Sequence, residues 1–349
     1  MATNRGGEPQ LRVVVHIGPV KTGSTAFTEQ MTTSQERGEL GKTTVYALPR
    51  QISLHNESQV IKPEHIRHFA PKLEWNRQSG ADRAETTDSH KIFGDRARTY
   101  LDGLAKDLRA GTKSDTTVFF VEETLSRRPN PGSLSSELLT RFDAVDYVFV
   151  ARAQQFIVPS AIAQRLKGAA HPSMWDERVS TFLSNDNLAN QFDYASILDR
   201  WASSDPRVRV IVVPFLESDR GTQNLFHRIL TAVDVRANLG EQVKNQVNLT
   251  LSRFEIAAIG LFKKATFRYS RQGLPRGSLR LSAYEFARLV FALIARIIRS
   301  PRWTVTTDER MDIIDFYQKS NIRFREKLGA QAQSAEWIEW FLNAGTNDS

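Results

Sequence analysis

Residues 11–25 read LRVVVHIGPVKTGST, and the fold turns on them. The β-branched run Val13, Val14 and Val15 has the character of a fully buried strand. It stops at Gly18 and Pro19. Lys21, Thr22, Gly23, Ser24 and Thr25 follow, and Thr25 to Arg37 reads as a helix with Gly38 and Gly41 as stop signals. Strand, glycine turn and helix N-terminus in that order make an anion site, because unpaired backbone N–H groups there point at incoming oxygens.

Working outward, further strands alternate with helical segments. Thr44–Leu48 (TVYAL), Thr117–Val121 (TVFFV), Asp146–Ala151 (DYVFVA) and Val208–Val213 (VRVIVV) read as strands two to five. Between them Leu101–Arg109, Leu134–Phe142, the stripe Ile157, Val158, Ala161, Ile162 and Leu166, and Phe192–Trp201 read as helices. Such alternation implies right-handed crossovers and a mainly parallel sheet of five strands covered on both faces. In these sheets ligands bind at the carboxyl ends of the strands. That rule selects Lys21 to Thr25, then Glu122 and Glu123, then Arg152.

Residues 1–10 read as a disordered polar tail, 11–329 as a single domain and 330–349 as a C-terminal helix and tail. The last third is helical in character, with 263–305 as a helical insertion or lobe. There Tyr284–Arg299 places Phe286, Leu289, Val290, Leu293, Ile294 and Ile297 on one face, with Arg288, Arg296 and Arg299 set among or opposite them. A helix packed on the domain fits that pattern; so does a helix that meets a membrane surface or a partner.

Composition narrows the classes. The 349 residues, 40% hydrophobic and 25% charged, are those of a soluble globular protein. The net charge of +8, from 47 basic and 39 acidic side chains, admits an anionic ligand or partner as well as a scattered basic surface. The absence of cysteine excludes disulfides, thiolate metal ligands and cysteine nucleophiles. The opening MATNRGGEPQ has no apolar core of a secretory signal. No uncharged apolar run reaches the roughly 18 residues that span a bilayer. A cytoplasmic protein is expected.

The ordinary nucleoside-triphosphate loop is G-x-x-x-x-G-K-[ST]. Gly18 to Thr25 keeps its glycine spacing, but Ser24 fills the lysine slot and the lysine stands three residues earlier, at Lys21. Its charge therefore approaches the ligand from the other side of the loop. Pro19-Val20-Lys21-Thr22-Gly23-Ser24-Thr25 resembles the P-x-K-T-G-[ST]-[ST] loop of the sulfotransferases, which use 3′-phosphoadenosine-5′-phosphosulfate (PAPS) as donor. The resemblance implies a three-layer, P-loop NTPase-like fold in which this loop grips the 5′-phosphosulfate. That family also places, after a later strand, an arginine followed eight residues on by a serine, both holding the 3′-phosphate. Arg152 and Ser160 stand at that spacing after DYVFVA. Where the family has Asn-Pro after the arginine, this chain has Ala153-Gln154, with its proline at position 159. Because proline prefers the first helical turn, this departure predicts a helix that starts later.

Weaker similarity extends over residues 11–329, closest to the bacterial members. VFFVEETLSR is similar to their strand ending in Ser-Ser-Glu, FDYASILDRWAS to a Tyr…Leu-x-x-Trp helix, KNQVNLTLSR to an Asn-x-Ser-x-Ser segment, and SNIRF to a closing Asn-containing helix. The implied roles follow. Lys21 stabilises the transferring group, Thr22 to Thr25 cradle the 5′-phosphate, and Arg152 and Ser160 bind the 3′-phosphate. The general base that takes the acceptor's proton is Glu123, with Glu122 as rival, since strand alternation turns only one of the two into the site. His55, after strand two, is a third candidate, where glycosaminoglycan-modifying relatives carry a catalytic carboxylate. No metal is required, PAP is the product, and the acceptor is a hydroxyl of a carbohydrate or glycolipid rather than a nucleic acid. Two other classes remain open: an ATP-dependent small-molecule kinase, favoured by Glu122-Glu123 after TVFFV, and a non-catalytic polyanion-binding module, favoured by the charge.

Overall fold

A computed structural model describes residues 10–18, 27, 30–31, 33–34, 37, 44–46, 95–111, 115–121, 131–167, 178–219, 223–235, 251–270 and 278–345. In chain order its elements are β1 (Leu11–His16), β2 (Thr44–Tyr46), α1 (Asp95–Gly111), β3 (Thr116–Val121), α2 (Pro131–Leu139), β4 (Ala144–Arg152) and α3 (Gln154–Lys167). Then come the short α4 (Val179–Leu183) and α5 (Asp186–Ala189), α6 (Tyr194–Trp201), β5 (Val208–Phe215) and α7 (Asn224–Ala232). Four long helices or helical segments close the chain: α8 (Arg253–Ser270), α9 (Ser278–Ile297), α10 (Thr307–Leu328) and α11 (Ala335–Asn343).

The protein is α/β, and the pairings among the described strands are parallel. β1 lies between β3, in register Leu11 with Thr116, and β4, in register Arg12 with Ala144. β5 lies beyond β4, and the three-residue β2 pairs with the outer side of β3, giving the order β2-β3-β1-β4-β5. After β1 the chain goes to the edge at β2, steps back inward to β3 beside β1, and then crosses β1 to build β4 and β5 on the other side. The reversal leaves a crevice between the carboxyl ends of β1 and β4, the place where open parallel sheets hold ligands.

Strand alternation explains why both faces are covered. Val13, Val15 and Ile17 join Tyr147, Phe149 and Ala151 in one core, which α1, α2, α3, α6, α10 and α11 complete. Val14, Phe119, Val148, Val150 and Val213 form the other, under Phe27 and Met31 and the Leu225, Phe226 and Ile229 stripe of α7. Phe27, Gln30, Met31, Thr33 and Ser34 are helical, as the reading of 25–37 requires, and the described part of strand two is Thr44–Tyr46. Strands with both faces buried need near-continuous apolar runs, and that is why they were legible.

Several boundaries moved, the start of α1 among them, at Asp95 and not at Leu101. α2 begins at Pro131, where proline's fixed φ suits the first helical position, and not at Leu134. α3 begins at Gln154, so Pro159 lies inside it and does not open a later helix. An interior proline costs about 3 kcal/mol. Burial of Ile157, Val158, Ile162 and Leu166, at about 1.5–3 kcal/mol each, outweighs it. The first turn is fixed independently: Phe156 and Ile157 donate to Ala153 O, and the Gln154 amide exchanges hydrogen bonds of 2.8 and 3.1 Å with Asn321 of α10.

Candidate functional site

The crevice between β1 and β4 is described on one wall and at one corner. β1 passes through His16 to Ile17, whose N–H still bonds Val148 O at 2.9 Å, and then to the buried Gly18, where the chain leaves the sheet. Lys21, Thr22, Gly23, Ser24 and Thr25 lie outside the described residues, as do Glu122, Glu123 and His55. Of the residues selected from sequence, the structure therefore speaks for Arg152 and Ser160.

Arg152 is the last residue of β4 and is 5% exposed. By alternation it lies on the face of Val148 and Val150, the face that Phe27 and Met31 cover. Phe27, nine residues after Gly18, packs on that same face. A buried guanidinium needs partners, since an uncompensated charge in the interior is very costly. Its Nε donates to Glu217 Oε1 at 2.8 Å, and its plane lies 5.1 Å from the ring centroid of Phe215, its register neighbour on β5. The carboxylate and the ring hold the guanidinium at a fixed position beside the crevice.

The backbone at this strand end is held as firmly. Tyr194 of α6 donates its hydroxyl to Arg152 O, and Trp340 of α11 donates its indole N–H to Ala151 O at 3.0 Å. Gln155 donates to Asn343 O and Gln154 to Phe192 O. Burial pushes the Tyr194 phenol well above the ordinary range, against the bond to Arg152, so it stays a neutral donor. Tyr194 also packs against Phe149, Phe324 and Trp340. The last two helices thus buttress the carboxyl end of β4.

Ser160 lies one and a half turns into α3, half-buried, and its hydroxyl donates to Phe156 O of its own helix at 3.0 Å. Such back-bonding to the preceding turn satisfies a helical serine without a ligand. A role on a phosphate requires the hydroxyl to rotate away from that carbonyl.

Two residues of the site were not found from sequence. Glu217 is 65 positions from Arg152, in the turn after β5, and only the parallel pairing of β4 with β5 brings them together. A carboxylate just past a strand end was the available signal. His16 is 1% exposed, and among the described residues neither ring nitrogen has a hydrogen-bond partner. Its ring stacks on Phe27, at 5.9 Å and 17°. Burial lowers its pKa from 6.5 to about 4, so the ring is neutral at pH 7 and packs as an apolar plate against Phe27.

An oriented, buried guanidinium at a switch-point crevice is equipped to bind a phosphate or sulfate group with charge-assisted hydrogen bonds. Among the described residues no group of three or more His, Asp or Glu side chains is placed to hold a metal ion. A shallow surface groove lined by Asp102, Lys106, Arg109 and Arg141 lies elsewhere, on α1, where Arg141 pairs with Asp102. Comparison with family models, with curated proteins and with solved structures finds no match to the chain.

Proposed function

We propose that this protein is a PAPS-dependent sulfotransferase of the P-loop-like, five-stranded type, transferring a sulfuryl group to a hydroxyl of an acceptor. The observation that carries the reading is Arg152. The arginine chosen because it follows strand four and stands eight residues before Ser160 is a buried, oriented cation at the end of β4, on the face that Phe27 covers. The order β2-β3-β1-β4-β5, with the loop strand in the middle, supports the same reading.

In this account the backbone N–H groups of residues 22–25 cradle the 5′-phosphate, and Arg152 with Ser160 holds the 3′-phosphate. Transfer is an in-line displacement. The acceptor oxygen forms a bond to sulfur while the bond from sulfur to the 5′-phosphate oxygen breaks, and PAP departs with that electron pair. Negative charge spreads over the non-bridging and leaving oxygens, and Lys21 is assigned to stabilise it, as cations do in phosphoryl transfer. Glu123, with Glu122 and His55 as rivals, takes the acceptor's hydroxyl proton. Lys21→Ala abolishes transfer and leaves the thermal midpoint without ligand unchanged. The acceptor class favoured by the bacterial resemblance is a carbohydrate or glycolipid hydroxyl, and a screen of acceptors with labelled donor identifies it.

An ATP-dependent kinase is the second reading, favoured by the carboxylates after β3. It gives Arg152 no task and leaves the lysine slot to Ser24. Thermal shift separates the two, because a ligand that binds only the folded state raises the midpoint. PAP without metal raises it in the sulfotransferase; a response only to ATP with magnesium overturns the proposal. A response only to heparin points to a polyanion module instead.

A further inference from the structure

The largest exposed apolar feature among the described residues lies on α9. Two faces of this helix are apolar, and only one of them is packed. Phe291 meets Phe262 of α8 edge to face at 6.2 Å, and Ala295, one turn on, is buried. On the opposite side Phe286, Leu289, Leu293 and Ile297 are each 58–70% exposed, with Ile298 at 54% just past the helix end. At 100° per residue these four positions span an arc about 80° wide, centred away from the α8 contact. Periodicity left this face open between packing on the domain and meeting a membrane surface or a partner; it is turned outward.

The charges along it are mainly basic. Arg296 flanks the exposed arc, and Arg299 and Arg302 follow at the end of the helix, all three exposed. Segment 284–302 carries four arginines and one acidic residue, Glu285. The support beneath is firm. Ser252 and Arg302 form an antiparallel bridge, Trp303 N donates to Leu251 O, and Arg253 N donates to Pro301 O, so the start of α8 and the end of α9 are tied together. α8 in turn buries Ile256 and Ile259 in the main core.

We propose that the outward face of α9 docks on an anionic lipid surface, with Phe286, Leu289, Leu293 and Ile297 entering the headgroup boundary and Arg296, Arg299 and Arg302 meeting lipid phosphates. An apolar face rimmed by cations is the form of an interfacial helix that lies in the membrane plane. Among the described residues no helix is long and apolar enough to cross a membrane, so this contact is peripheral. A second copy of the chain suits the face less well. Pairing two such helices brings together eight arginines against two glutamates, and like charges across an interface oppose association. The proposal does not depend on the sulfuryl-transfer reading.

The test is flotation of the full chain with vesicles of phosphatidylcholine alone and of phosphatidylcholine with roughly one-quarter phosphatidylglycerol. The protein floats with the anionic vesicles, not with the neutral ones, and high salt releases part of it. Leu289→Glu with Leu293→Glu abolishes flotation at an unchanged thermal midpoint. Arg296→Glu with Arg299→Glu, which leaves the apolar face intact, weakens it at least about tenfold, since each arginine near an anionic surface contributes about fivefold. No flotation, or equal flotation on both vesicles, overturns the proposal. So does a concentration-dependent dimer that the Leu289 and Leu293 changes disperse, which would make a second copy the occupant.

Discussion

The two ends of β4 use the same pair of chemical groups for different ends. Near its start, Asp146 is a carboxylate 1% exposed and enclosed by two arginines: Arg209 reaches it through Nε at 2.8 Å and a terminal nitrogen at 2.7 Å, and Arg12 at 3.2 Å. Arg12 is further committed to Thr117 and to Val233 O, so this cluster ties β1, β3, β4, β5 and the end of α7 together. At the far end the polarity is reversed. A buried arginine is held sideways by one carboxylate and one aromatic ring, beside the crevice where the sheet changes direction. An acid surrounded by cations is a staple. A cation aligned by an acid at the strand end is the group we propose meets the ligand, and the difference lies in which member of the pair is central and where the strand ends.

That contrast makes different predictions for the two ends. The largest effect belongs to the staple: Asp146→Ala leaves the mostly buried Arg12 facing a gap, while the half-exposed Arg209 turns to water, and it destabilises the protein by about 3 kcal/mol, the low end for a broken buried pair. Urea denaturation reads this as a lowered midpoint. A shift below about 1 kcal/mol would mean that the cluster is ornamental and the comparison false.

Next comes His16, at the carboxyl end of β1. Its folded pKa of about 4 lies below the 6.5 of the unfolded chain, so the unfolded state takes up the proton first as the pH falls. Its neutral ring has no effect above pH 6.5; between 6.5 and 4 stability falls by on the order of 3 kcal/mol. His16→Phe, which keeps the stack on Phe27, removes this component, so wild type and variant diverge in urea midpoint only on the acid side. Parallel curves from pH 7 to pH 4 would contradict the buried, unpartnered ring.

The smallest effect sharpens the role of Glu217. Glu217→Gln keeps a hydrogen-bond acceptor for Arg152 Nε but removes a negative charge near the proposed phosphate, so PAP binds at least as tightly as to wild type. Glu217→Ala loses the alignment and weakens PAP by about 1 kcal/mol. If the glutamine variant is the weaker of the two, the carboxylate does more than orient Arg152.

The strands and the position of Arg152 were legible because each depends on local sequence: apolar runs mark strands buried on both faces, and Arg152 follows one of them directly. What was not legible depends on distant partners. The start of α3 is set by Asn321, 167 positions from Gln154, against proline's own preference. Glu217 reaches Arg152 only through the β4–β5 pairing. The 3.6-residue period of α9 is the same whether its face meets a core or solvent, so the outward turn of Phe286, Leu289, Leu293 and Ile297 could not be read from spacing.

The central claim is that Arg152 reads a phosphate at the 3′ position of an adenosine nucleotide. Calorimetric titration of wild type and Arg152→Ala with PAP and with adenosine 5′-monophosphate, which lacks that phosphate, tests it most directly. Wild type should prefer PAP by about 2–4 kcal/mol without metal, the scale of a desolvated arginine–phosphate contact. Arg152→Ala should erase most of that preference and leave binding of the monophosphate unchanged. Wild-type and variant proteins with the same preference would contradict the account.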